Sequence, residues 1–156
     1  MYKRQNLTFE GYKAFNKIPY KGQTSGTYDV NNGFTTADNS FNSSGIPITI
    51  RNKFGANVAQ EWLQMEMPTI KTVTSITLKW RGDTVYQFAP KDFKFFVSTD
   101  DITWTEVQNV TGYSVNSAFQ ETTYNITGSR AKYIGMSIRA SNFNLCIIGE
   151  LYFEGY

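Results

Sequence analysis

The sequence predicts an all-β domain, an antiparallel β-sandwich of jelly-roll type, and three observations carry that expectation. The chain holds 12 Phe, 10 Tyr and 3 Trp among many Thr, Ser, Asn and Val, and branched and aromatic side chains pack well on a pleated surface. From Ile46 onward apolar and polar residues alternate with a period of two, the spacing at which neighbouring side chains face opposite sides of a sheet. No segment sustains a capped 3.6-residue pattern, which leaves no long helix and no βαβ unit. At 156 residues the chain has the length of one ordinary domain, enough to bury a core.

Taken in order, residues 1–5, MYKRQ, resemble a translated adapter. Read as GTG-TAT-AAG-AGA-CAG, they match a transposon end used to prepare sequencing libraries. They are therefore expected to lie outside a single domain over 6–156, with the natural N-terminal part of a longer metagenomic gene missing before it. Residues 6–45 are rich in Gly, Asn, Ser and Thr and read as long loops with few strands. Strands are then expected over 46–52, 61–67, 72–80, 91–98, 103–107, 121–126, 131–140 and 146–155. Ile76, Leu78 and Trp80 alternate with Thr77 and Lys79, as Ile134, Met136 and Ile138 do with small or polar neighbours, so one face is buried and one is wet. Pro47, Pro68 and Pro90 fall near strand ends, where a missing N–H does least harm to a ladder. No repeat of 20 to 50 residues suggests a propeller or solenoid.

Charge and rare residues narrow the chemistry. The formal charge is +2; without Lys3 and Arg4 the 15 basic residues fall to 13, against 13 acidic, so the domain is neutral. Neutrality removes the electrostatic case for a nucleic-acid partner. No apolar run is long enough for a transmembrane segment. With no histidine, triads and His-based zinc sites are gone. The single cysteine, Cys146, lies in an apolar strand and is expected in the core. Asp100 and Asp101 are adjacent carboxylates, but neighbours in a tight turn point apart, and Asp favours turns for its own hydrogen-bonding reasons. Nothing catalytic is expected.

A sugar site on a neutral sandwich needs an aromatic face for the apolar side of the ring, and fork-shaped or amide groups for its hydroxyls. Two polar, aromatic loops interrupt good strand patterns. The first, WRGDTVYQF, offers Arg81, Asp83 and Tyr86; the second, RASNFN, offers Arg139, Asn142, Phe143 and Asn144. Trp62, Trp80 and Trp104 sit at strand positions and are expected to pack in the core.

Three stretches in sequence order carry a family resemblance: EWLQMEMPTIKTVTSITLKWRG, PKDFKFFVSTDDITWTEV and AKYIGMSIRASNFNLCIIGELYFEGY. Together they resemble the coagulation factor 5/8 type C (discoidin) domains and their bacterial sugar-binding relatives of the galactose-binding-like superfamily. The middle stretch is similar to the family's S-x-D-G-x-x-W hairpin, with Asp101 in place of its glycine and Trp104 as the aromatic that packs the hairpin onto the sandwich. The resemblance implies a galactose-binding-domain-like fold and a non-catalytic carbohydrate-binding role in adhesion or receptor recognition, within a larger phage tail or bacterial surface protein. The expected location is extracellular, at a cell surface or on a virion. Arg81 and Phe143 match positions at which the relatives contact ligand. Asn16 and Glu150 match two positions of a structural Ca²⁺ staple, although Asn16 replaces the usual aspartate and so removes a charged ligand. Two rivals remain open: an assembly role in which the end loops touch neighbouring subunits of a parent protein, and phospholipid binding through Val85, Tyr86 and Phe88.

Overall fold

A computed structural model of the chain describes residues 5–6, 13–15, 27–29, 33–35, 42–47, 60–80 and 84–156. Ten strands run through them: β1 (Gln5–Asn6), β2 (Lys13–Phe15), β3 (Thr27–Asp29), β4 (Gly33–Thr35), β5 (Glu61–Lys79), β6 (Pro90–Ser98), β7 (Thr105–Val110), β8 (Glu121–Ser141), β9 (Ile147–Ile148) and β10 (Glu150–Gly155). Among these residues the one helical element is a 3-10 turn at Tyr86–Phe88, and none of them forms a helix long and apolar enough to cross a membrane. Every pairing is antiparallel. One sheet has the order β1-β10-β5-β8-β6-β7, with β2 on the first half of β5; β3, β4 and β9 form a second, small sheet. Gln5, the last residue of the adapter-like segment, pairs with Gly155. Of the strand expected over 46–52, only Ile46 and Pro47 fall among the described residues.

The main departure from expectation is that four strands are two. Residues 61–67 and 72–80 belong to the single 19-residue β5, and 121–126 and 131–140 to the 21-residue β8. Both run on through Pro68 and Gly128 because the ladder between them takes up extra residues. Residues 67–70 of β5 stand opposite Lys132 alone, and Thr74 stands opposite residues 126–128 of β8. Such bulges bend a ribbon sharply, and Pro68 sits in the exposed, unladdered stretch where its missing N–H is harmless.

The bend turns one ribbon into two layers. The first half of β5 and the second half of β8 pair with β2 and β6; the second half of β5 pairs with β10. The layers face each other: Phe93 and Phe95 of β6 meet Tyr124, from the first half of β8, with ring centroids 6.2 and 5.9 Å apart. Leu63, Met65, Ile76, Phe93, Phe95, Ile134, Met136, Ile138 and Phe153 fill the space between, all fully buried. Each such side chain contributes about 1.5–3 kcal/mol of burial. Burial pushes the Tyr124 hydroxyl up to about 12, with Tyr113 adding to the rise. Cys146 is buried here as expected, its thiol pushed up by desolvation and then by Glu61.

The far face of the front layer, the one that holds β2, β6 and β7, explains the tryptophan of the Ser98–Trp104 hairpin. Trp62 and Trp104 pack edge to face, 5.1 Å apart, and a Cβ on Gly135 would lie 2.2 Å from the Trp62 ring and 3.0 Å from that of Trp104. Only glycine lets both rings lie against β8. Trp62 Nε1 donates to Gln64 Oε1 (3.0 Å), and Gln64 Nε2 donates to Asp101 Oδ1 (2.9 Å). Asp101 has φ 62, the left-handed conformation that suits the family's glycine; the bond from Gln64 helps hold it there. Asp100 Oδ1 accepts from the N–H groups of Ile102 (2.9 Å) and Thr103 (2.7 Å) and from Ser98 Oγ (3.0 Å), which together lower its pKa to about 2. Both aspartates thus shape the turn.

Two measurements check this corner. Trp62 and Trp80 are buried, but Trp104 is half-buried, so Trp104→Ala is expected to cost about 3 kcal/mol in urea unfolding, near the lower end for aromatic truncations. Because the folded state depresses the Asp100 pKa, its stabilisation is full above the ordinary carboxylate range and is lost as pH falls toward about 2. The melting temperature of Asp100→Asn, which keeps the acceptor oxygen, should therefore fall less steeply than that of the parent between pH 4 and 2.

Candidate functional site

The folded ribbon brings four chain segments to one end. Trp80, just past β5, donates its N–H to Gln120 O (2.8 Å), just before β8. The end of β8 meets the start of β6, with Ser141 in register with Pro90. Trp80, Ala89, Val115 and Ile147 form a small buried cluster under this end, with Tyr86, Phe88, Tyr113 and Leu145 packed against it.

Two of the loops are locked together above the cluster. The Asn142 N–H (3.3 Å) and Asn142 Nδ2 (3.1 Å) both donate to Ala89 O, and Ser141 Oγ donates to Leu145 O (2.7 Å). A third segment, Asn42–Ile46, closes against them. Asn42 Oδ1 accepts from the N–H groups of Ser44 (2.9 Å) and Ile46 (3.1 Å), and the Ser141 N–H donates to Gly45 O (3.0 Å). Gly45 has φ 75, and a Cβ there would lie 1.8 Å from Ser141 O, so no other residue fits.

The structure brings some of the sequence-predicted residues together. The Phe143 ring is 37% exposed and rests on Phe88 at 6.1 Å, a tilted pair. Exposed Asn142 lies beside it, and its amide, with one N–H on Ala89 O, retains an N–H and an oxygen for a ligand hydroxyl. Tyr86 is half-buried, edge-on to Trp80 at 6.4 Å, which makes it a wall of the site rather than a projecting platform. Arg139 is exposed on β8, alternating with core-facing Ile138, and no contact among the described residues joins it to Phe143. Arg81 and Asp83 lie outside the described residues. Of the two positions offered to Ca²⁺, Asn16 also lies outside them, and Glu150 opens β10 in register with Lys79. Among the described residues no group of three or more Asp, Glu, Cys or His could hold a metal ion.

Sequence reading missed Gly45, whose only signal was the Ser-Ser-Gly turn before a strand, and Phe119, which showed no pattern at all. Phe119 is 62% exposed in the loop between β7 and β8, at this same end.

Comparison with known proteins identifies the family and the fold. Residues 23–151 match the F5/8 type C domain, and the chain belongs to that family. No curated protein matches it. Among solved structures it is similar to a module titled CpGH89CBM32-5 from Clostridium perfringens, in complex with GalNAc-β-1,3-galactose. The TM-score is 0.65 at 12% identity, over 96% of this chain and 99% of that one. It is also similar to the family 32 CBM of NanJ from C. perfringens, in complex with galactose (TM-score 0.61, 12% identity, 97% and 99% covered). A third likeness is to the C-terminal domain of a chitobiase from Bacteroides fragilis (TM-score 0.61, 17% identity, 97% and 98% covered). At these identities the likeness is one of fold.

The lock at Gly45 can be tested directly. Gly45→Ala is expected to lower the unfolding free energy by about 2–4 kcal/mol, from the left-handed φ and the clash together. Ala89→Gly, which keeps the carbonyl that Asn142 uses, should lose far less.

Proposed function

We propose that residues 6–156 form a non-catalytic carbohydrate-binding module whose ligand sits where the loop from Arg81 to Phe88 meets the loop from Arg139 to Asn144. The observation that carries this reading is the half-exposed Phe143 ring, braced from behind by Phe88 and flanked by Asn142, on loops fixed to each other through Ala89 O. A braced ring offers a flat face to the apolar side of a sugar, and the adjacent amide reads a hydroxyl. Family membership and the two glycan-bound structures of the same fold support it. Arg81, Asp83, Tyr86 and Arg139 complete the proposed ligand set.

Shallow sites of this kind bind single sugars weakly, with Kd on the order of 0.1–1 mM, and gain avidity from repeated display. A module of this sort therefore suits a larger, multivalent parent at a cell surface or on a phage tail, where it serves adhesion or receptor recognition. On a glycan array and by isothermal titration, Phe143→Ala and Arg81→Ala should each reduce binding at least tenfold while moving the melting temperature by no more than a few degrees. Full-strength binding by both variants would place the site elsewhere. Binding to phosphatidylserine vesicles with none to any glycan would replace this reading with a lipid one, and stable self-association of the glycan-blind domain would replace it with an assembly role.

A further inference from the structure

Phe119 is a bulky residue with φ 57, in the left-handed region that such side chains rarely enter. Its neighbours hold it there. The Gln120 side chain staples the loop across its base, with Oε1 accepting from the Asn116 N–H (3.0 Å) and Nε2 donating to Ser114 O (2.9 Å). The loop's entry is fixed as well: the Gly112 N–H donates to Asp92 Oδ1 (2.8 Å) and the Tyr113 N–H to Lys91 O (2.9 Å). Val115, from the middle of the loop, is buried in the cluster beneath the candidate site. The loop turns Tyr113 and Val115 inward onto that cluster and could have done the same with Phe119. Instead it presents the ring to solvent, 62% exposed. Backbone strain held in place around an exposed aromatic ring points to use rather than to folding.

The surroundings of the ring indicate its use. Lys79 Nζ lies over the ring, 5.8 Å from its centroid, and 3.5 Å from Glu121 Oε1, so the cation over the ring is itself paired with a carboxylate. This charge-balanced pair suits neutral hydroxyls better than an anionic headgroup, which would have to compete with Glu121 for Lys79. Through Trp80, bonded to Gln120 O and packed on Tyr86, the ring shares its support with the Phe143 loops.

We infer that Phe119, with the Lys79–Glu121 ion pair at one face of its ring, forms a second sugar subsite, so that the module reads an extended glycan chain and not only a terminal unit. The inference rests on the carbohydrate reading above. It predicts that affinity grows with chain length and that Phe119 carries the growth. The test is a glycan array bearing each terminal sugar both alone and on linear chains of two to five units, probed with the parent, Phe119→Asn and Phe119→Trp. Asparagine tolerates the left-handed conformation, so Phe119→Asn should keep the melting temperature. It should bind single sugars like the parent but lose about tenfold on the longer chains, while Phe119→Trp should preserve or strengthen the length dependence. If the parent binds single sugars and longer chains equally, or Phe119→Asn matches it throughout, the subsite does not exist and the Phe143 site stands alone. If the parent binds no glycan, both readings fall. If Phe119→Asn weakens binding to phosphatidylserine vesicles and leaves glycans untouched, the ring is a lipid anchor and the inference is overturned.

Discussion

The structure depends on one constraint: the ribbon of β5 and β8 must fold over on itself. Two strands of 19 and 21 residues are each shared between both layers of the sandwich. Surplus residues on alternate strands of the ladder, first at 67–70 and then at 126–128, produce the turn. A ribbon doubled in this way has both its ends on the same side. The finish of β5, the start of β8, the start of β6 and the finish of β8 therefore gather around Trp80, Ala89 and Ser141. Long loops leaving those points are close in space although they lie far apart in sequence. The proposed site is a consequence of the bend.

The opposite corner keeps the front layer rigid. Burying Trp62 on the face away from the core requires Gly135 across the ladder, and the edge of Trp104 closes over both. The hydrogen bonds from Trp62 to Gln64 and on to Asp101 then tie the hairpin turn to the start of β5. An aspartate in a glycine's conformation is tolerated there because its side chain has a defined partner. This corner accounts for two conspicuous acidic residues without calling on any reaction chemistry.

Much of the fold was legible because period-two alternation reports directly on burial. The expected strand over 91–98 coincides closely with β6; those over 121–126 and 131–140 lie within the single β8, and the one expected over 146–155 divides into β9 and β10, which belong to different sheets. What alternation could not report was continuity. Pro68 and Gly128 are ordinary breakers locally, and only cross-strand pairing shows that a bulge absorbs each of them. The site was legible in part for a similar reason. Asn142 and Phe143 fall in a visible interruption of a strand, whereas Phe119 lies in a loop whose orientation is set by the Gln120 staple and by Val115, contacts made only after folding. Gly45 likewise acquires its importance from Ser141, 96 positions along the chain.

The central claim is that the ligand meets the end of the sandwich where the doubled ribbon's ends converge. Amide chemical-shift mapping during titration with a bound glycan tests it without altering the protein. The account predicts shifts at residues 84–89, 115–120 and 141–145, with the Ser98–Trp104 hairpin unchanged. Shifts concentrated at that hairpin or along the exposed edge of β7, with the loop amides silent, would contradict it.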